Sequence, residues 1–214
     1  CHRLFAARTV TKTALPVTEK RLSLKNIYYD TKDGALNRER MAYRVRVTNG
    51  SAYEATIKTK GISTGGFSVR GEYTVPLKDE TPVTEGFPPE VTRRLKDLLH
   101  GESLVPTVTI TFVRHAMDLA AGKSRVELSL DEGIIESGDR SQSLREVEFE
   151  LKEGDPAALF ELVSHLAGEI PLYPEDRSKL ERGLFLLAGK TPQESCDDAV
   201  KVPKTFADAA RFLR

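Results

Sequence analysis

The run Arg145-Glu146-Val147-Glu148-Phe149-Glu150-Leu151-Lys152 alternates strictly between charged and apolar residues. A period of two is that of a β-strand, so Glu146, Glu148 and Glu150 share one face while Val147, Phe149 and Leu151 share the other. Successive carboxylates on such a face lie roughly 7 Å apart, and each neighbouring pair repels by about 0.6 kcal/mol in water but about 2.4 kcal/mol at an effective dielectric of about 20. A face open to water tolerates this repulsion. An enclosed face needs cations to answer it.

Other stretches repeat the design with those cations. Residues 41–47 set Arg44 and Arg46 opposite Tyr43, Val45 and Val47. After Asn49-Gly50, a two-residue hairpin signal, residues 52–60 set Glu54, Thr56, Lys58 and Lys60 opposite Tyr53, Ala55 and Ile57. Following the Gly61-Ile62-Ser63-Thr64-Gly65-Gly66 loop, residues 67–77 set Ser68, Arg70, Glu72 and Thr74 against Val69, Tyr73 and Val75. Residues 125–131 set Arg125, Glu127, Ser129 and Asp131 opposite Val126, Leu128 and Leu130. In 107–117 Arg114 shares parity with Ile110 and Phe112, and a bulge or twist would reconcile the two. Asn26–Thr31 reads as a strand running into a turn at Lys32-Asp33-Gly34, residues 1–25 as a short helix then a loop around Pro16, and 35–40 as a polar connection.

Three stretches carry helical spacing. Residues 90–99 present Val91, Leu95, Leu98 and Leu99, Asp155-Pro156 opens a helix with Leu159, Val163 and Leu166, and Ser178 caps a helix carrying Lys179 and Arg182 among Leu180, Leu184 and Leu187. Residues 189–200 read as linker, and 205–213 as the start of an amphipathic helix with Phe206, Ala209, Ala210 and Leu213. The pattern predicts a mainly β fold of the α+β class, an antiparallel sheet with peripheral helices; a sheet closed or nearly closed into a barrel would enclose a water-filled lumen.

Composition narrows the function. Lys and Arg number 32, as do Asp and Glu, so the formal net charge is zero and any anion site must come from local sorting of charge. Neutrality also argues against a nucleic-acid binder. No apolar run approaches the ~18 residues of a membrane span. Cys1 and Cys196 lie outside any metal-ligand spacing, which suits a reducing cytoplasm. There is no Walker A loop, no GxGxxG after a strand and no HExxH. What remains is a lumen holding Arg44, Arg46, Lys58, Lys60 and Arg70 together with Glu72, Glu127, Asp131, Glu146, Glu148 and Glu150. Cations there would clamp phosphate oxygens, and carboxylates would hold divalent metal, as phosphoanhydride hydrolysis requires. For any single strand, a polar face meeting water explains the pattern as well.

The ordered motifs Asn26-Ile27-Tyr28-Tyr29-Asp30-Thr31, Tyr43-Arg44-Val45-Arg46, Thr56-Ile57-Lys58, Arg70-Gly71-Glu72-Tyr73, Val126–Asp131, Glu146–Lys152 and Ser178-Lys179-Leu180-Glu181-Arg182-Gly183 resemble the CYTH superfamily of triphosphate tunnel metalloenzymes. With Thr64-Gly65-Gly66, they look closest to its bacterial inorganic triphosphatase branch. The resemblance implies a tunnel in which Mg²⁺ or Mn²⁺ supports hydrolysis of tripolyphosphate. Arg44, Arg46, Lys58, Lys60, Arg70, Glu72, Arg114, Lys179 and Arg182 would contact substrate. Glu127, Asp131, Glu146, Glu148 and Glu150 would hold metal, and Glu148, Glu150 and Lys179 would be catalytic. By the same resemblance residues 1–189 form the tunnel domain. Residues 190–214, with Val200-Lys201-Val202-Pro203, resemble a linker and the entry to a helical polyphosphate-binding CHAD domain.

The family's Glu-x-Glu-x-Lys strand is absent from these residues. It would precede Cys1 in a longer protein, be disordered or removed, or be missing from a natural variant; a start other than Met favours the first two. Without it a non-catalytic polyphosphate-binding module is the alternative, alongside hydrolysis or cyclisation of another triphosphate such as thiamine triphosphate or a nucleoside triphosphate.

Overall fold

The structure is a computed structural model that describes residues 15–64 and 67–189. In chain order it contains β1 (Leu15–Asp30), α1 (Ala35–Arg38), β2 (Ala42–Thr48), β3 (Ala52–Lys58), β4 (Ile62–Thr64), β5 (Phe67–Val69), β6 (Glu72–Leu77) and α2 (Pro89–Leu99). There follow β7 (Val105–Ala121), β8 (Ser124–Ser137), β9 (Arg140–Glu153), α3 (Pro156–Glu169) and α4 (Lys179–Leu187). Seven strands form one antiparallel sheet in the order β6-β3-β2-β1-β7-β8-β9, and β4 pairs with β5 as a small separate hairpin.

The period of two sorts this sheet into an outer apolar face and an inner polar one. On the outer face of β2 and β3, Tyr43, Val45, Ala55 and Ile57 pack against Val91, Leu95 and Leu99 of α2. On the outer face of β7 and β8, Met117, Leu119, Val126, Leu128 and Leu130 meet Leu162 and Leu166 of α3. Each fully buried Leu or Ile there contributes about 1.5–3 kcal/mol. Asp155 caps α3 by accepting from the Ala157 N–H at 2.9 Å. Asp30, at the end of β1, accepts from the Leu36 and Asn37 N–H groups at 2.8 and 3.0 Å and thereby nucleates α1.

α4 lies against the inner face. Its Leu186 joins Leu24, Tyr28, Val108, Ile110, Phe112, Ile135 and Leu144 in a third core that fills part of that face. A capping box between Ser178 and Glu181 fixes its start.

Several sequence readings change. Of the closed or nearly closed barrel the structure has the seven-stranded antiparallel sheet but not closure by hydrogen bonds: among the described residues β6 and β9 are its edges. Phe67 of β5 meets Phe160 of α3 at 4.2 Å between ring centroids. Residues 15–25 belong to a central strand, not to a helix and loop, because β1 pairs with both β2 and β7. Residues 35–38 form one helical turn, and 67–77 splits into β5 and β6. The β7–β8 register runs unbroken through Arg114, without the expected bulge. The linker and helix read at 190–214 lie outside the described residues.

Candidate functional site

Cross-strand register brings the charged positions onto the inner face. Arg44 sits opposite Thr56, Lys58 opposite Glu72, Arg114 opposite Asp131, and Asp131 opposite Glu146. Two groups result.

The first is built on β7, β8, β9 and α4. Asp131, fully buried, accepts from Nε and Nη2 of Arg114, each at 2.7 Å. Arg114 also donates to Glu148. Lys179, at the first turn of α4, donates to Glu148 at 2.7 Å and to Glu146 at 3.0 Å, and its Nζ is 3.0 Å from Asp131. Arg182, one turn on, donates to Glu146 at 3.1 Å. Further along, Glu127 is buried, 3.2 Å from Lys20 and 3.9 Å from both Arg114 and Lys152. The phenyl ring of Phe112 underlies the group, with its centroid 5.8 Å from Lys179 Nζ and 5.9 Å from Arg114 Cζ.

Charge pairing inside a partly dry site moves the titrations. Burial raises Glu148, but Lys179 and Arg114 outweigh it and hold the carboxyl well below its ordinary range. Burial also raises Glu146, and there it prevails over Lys179 with help from the Glu148 charge. Two glutamates on one strand face are thus pushed apart. Lys179 and Arg114 both rise, because their carboxylate partners outweigh burial.

The second group lies on β2, β3 and β6. Arg44 is buried and donates from Nη2 to Thr56 Oγ1 at 3.0 Å, while Thr56 and Thr74 share a 3.0 Å hydrogen bond. Arg44 Nε is buried and has no hydrogen-bond partner among the described residues. Arg46 donates from Nε to Asn26 Oδ1 at 2.9 Å, and Glu54 lies 3.7 Å from Arg44 and 3.9 Å from Arg46. Lys58 donates to Glu72 at 2.6 Å, with Arg70 at 3.8 Å from the same carboxylate. Burial and Arg44 nevertheless pull the Lys58 ammonium down to about 8. Cations outnumber carboxylates here, whereas in the first group Arg114, Lys179 and Arg182 balance Asp131, Glu146 and Glu148, so the face is electrically graded.

Of the residues singled out from sequence, Arg114, Asp131, Glu146, Glu148, Lys179 and Arg182 meet in the first group, with Glu127 beside it. Arg44, Arg46, Lys58, Arg70 and Glu72 meet in the second. Lys60 stands exposed beyond the end of β3, and Glu150 is exposed on edge strand β9, paired with Lys152 at 2.7 Å. Sequence reading missed Asn26, Glu54, Thr56, Thr74 and Phe112 as parts of the site. Parity placed Glu54, Thr56 and Thr74 on the polar face; Asn26, Thr56, Thr74 and Phe112 carry no charge signal, and the nearness of Glu54 to Arg44 and Arg46 is set by cross-strand register.

The resemblance implies a divalent metal, and carboxylate oxygens suit a hard cation. Yet among the described residues no group of three or more His, Cys, Asp or Glu side chains is set to hold an ion. The oxygens of Asp131, Glu146 and Glu148 face arginine and lysine instead, so these residues as arranged do not form a metal centre. No helix among the described residues is long and apolar enough to cross a membrane.

A family model for the CYTH domain matches residues 4–184. An inorganic triphosphatase of Haemophilus influenzae is 34% identical over 173 residues, covering 79% of this chain and 47% of that protein; the chain thus spans about half the length of the relative it matches. Among solved structures, a Pyrococcus horikoshii protein is similar at a TM-score of 0.54 with 22% identity, covering 89% of this chain and 95% of the other. A Hippeastrum adenylyl cyclase candidate, described as having a dominant triphosphatase activity, is similar at a TM-score of 0.52 with 16% identity, over 89% and 90% of the two chains. At these identities the structural likeness speaks for the fold. With its alternating strands, its charged inner face and the family match over most of its length, the chain belongs to the CYTH family.

Proposed function

We propose that this domain hydrolyses inorganic tripolyphosphate to pyrophosphate and phosphate on the charged inner face. The observation that carries the reading is the grading of that face. The cations Arg44, Arg46 and Lys58 converge on one side, with a buried Arg44 Nε–H left unpartnered, and a carboxylate group laced with Lys179, Arg114 and Arg182 lies on the other. An unpaired buried donor costs about 1–3 kcal/mol, and a phosphate oxygen would relieve that cost. The 34% identical triphosphatase supports the substrate class.

Arg44, Arg46, Lys58 and Arg70 grip the phosphate chain, with Lys60 at the rim. Lys179, Arg114 and Arg182 neutralise charge that develops on the transferred phosphoryl oxygens. Glu148, kept ionised by its two cations, orients the attacking water, while the higher-titrating Glu146 is the better acceptor for its proton. Glu72 holds Lys58 in place. Mg²⁺ or Mn²⁺ remains the expected cofactor; Glu127, Asp131, Glu146, Glu148 and Glu150 would hold it only by exchanging their arginine and lysine partners, and it would supply charge neutralisation to phosphoryl oxygens. A cytoplasmic setting and a CHAD module in the full-length protein belong to the same reading.

The test is phosphate release from tripolyphosphate with Mg²⁺ or Mn²⁺, beside a panel of nucleoside and thiamine triphosphates. Release no greater than that of a Glu148→Ala control sinks the proposal. The pairing of every inner carboxylate group with arginine or lysine favours one alternative, a polyphosphate-binding module without turnover. That alternative predicts calorimetric binding that Arg44→Ala or Lys58→Ala weakens, with no phosphate released.

A further inference from the structure

Phe112 is an apolar residue within the charged half of the inner face. It is 3% exposed, lies on β7 two residues before Arg114, and packs into the core beneath α4. Its cross-strand neighbour on β8 is Gly133. A Cβ at position 133 would stand 2.1 Å from the Thr111 carbonyl oxygen and 2.5 Å from Phe112 Cα and Cβ. Position 133 therefore carries no side chain between the ring and its surroundings.

The ring is within cation–π range of both principal cations, at 5.8 Å from Lys179 Nζ and 5.9 Å from Arg114 Cζ. Among the described residues, every other group that pairs with those cations is a carboxylate: Glu127, Asp131, Glu146 and Glu148. A phosphate arriving at Lys179 or Arg114 competes with these carboxylates for the same N–H donors. The ring face attracts a cation through its quadrupole and uses no N–H donor. Its hold on both cations survives the exchange.

Resting on the anion-binding reading of this face, we propose that Phe112 is a positioning residue. Its ring fixes Lys179 and Arg114 at the floor of the inner face, so both stay aimed when phosphate replaces their carboxylate partners.

The experiment compares Phe112→Leu, which keeps the apolar volume without the ring, with Phe112→Tyr, which keeps the ring. Phe112→Leu should lower kcat for tripolyphosphate about tenfold with KM nearly unchanged, while Phe112→Tyr stays within about twofold of the parent. In a Lys179→Met background, Phe112→Leu should lower the remaining kcat less than it does in the parent, because only Arg114 is left for the ring to hold. Proton NMR supplies a readout independent of turnover. The Lys179 ε-methylene protons should be shifted upfield by the ring in the parent and return to ordinary values in Phe112→Leu. Ordinary shifts in the parent, or parental kcat in Phe112→Leu, overturn the proposal. A parent that binds tripolyphosphate without hydrolysing it defeats the triphosphatase reading alone, and the NMR arm still decides the role of Phe112.

Discussion

Arg114 and Asp131 face each other across β7 and β8 in a two-pronged pair, Nε to Oδ1 and Nη2 to Oδ2, each at 2.7 Å. The carboxylate is fully buried and the guanidinium nearly so. A pair so enclosed is weak evidence for net stability, but removing one partner strands a buried charge. Asp131→Ala should therefore cost ~3 kcal/mol in urea unfolding, at the low end because Arg114 keeps Glu148. The exposed pair of Glu150 with Lys152 offers the control: Glu150→Ala should change stability by no more than about 0.5 kcal/mol. Equal costs for the two variants would mean that the buried network does not hold the sheet together.

Lys58 gives the phosphate-binding side a pH dependence. Burial and Arg44 pull its folded value down to about 8 from 10.5. In the window between those values the unfolded chain holds a proton that the folded chain has released, so this residue makes stability rise with pH there and disfavours the fold below it. Anion binding runs the other way, because only the protonated form attracts phosphate. Affinity for tripolyphosphate should fall by up to about tenfold per pH unit above about 8, and Lys58→Arg should remove the break. Calorimetric titration across that range checks it, and a break that persists in Lys58→Arg assigns the effect to another group.

Glu146 and Glu148 should shape the acid limb in opposite senses. Glu148 titrates below its ordinary 4.5 because Lys179 and Arg114 outweigh burial, so it stabilises the fold above that value and the contribution is lost as pH falls further. Glu146 titrates above 4.5 because burial dominates, so its ionisation disfavours the fold and acid relieves that cost. Urea midpoints between about pH 3 and 7 should fall less steeply toward acid in Glu148→Gln and more steeply in Glu146→Gln. The same slope in both variants would contradict the split.

The alternating strands were legible because each contrasts an apolar outer face with a charged inner one. The N-terminal half of β1 was not. Thr18-Glu19-Lys20-Arg21 is polar at every position, so nothing in it marks a strand that pairs with β7. Arg114 was misread for a related reason. The change from apolar to charged on the inner face occurs along β7, between Phe112 and Arg114, as the floor under α4 gives way to the carboxylates; a strand read by parity alone seems irregular there. Neutral partners such as Asn26 to Arg46 and Thr56 to Arg44 are set by register, which no single strand reveals.

Gly183 ties the α4 backbone to the chemistry. A Cβ there would lie 2.3 Å from Val108 Cγ1, 2.7 Å from Cγ2 and 3.1 Å from Cβ. Val108 is β-branched, buried and stiff at χ1, so it cannot turn aside, and Gly183→Ala must lift α4 from β7. Overpacking of this kind costs about 1–3 kcal/mol, whereas alanine gains about 1 kcal/mol of helix propensity over glycine. The net change in stability should therefore be small. Function should not escape so lightly, because Lys179 and Arg182 ride on the same helix and a displacement of about 1 Å can cost up to about a hundredfold in rate. Tripolyphosphate turnover should fall by at least about tenfold in Gly183→Ala. Adding Val108→Ala opens the space that the new methyl needs and should restore most of that loss. Parental turnover in the single variant would show that the seat of α4 does not set the position of Lys179.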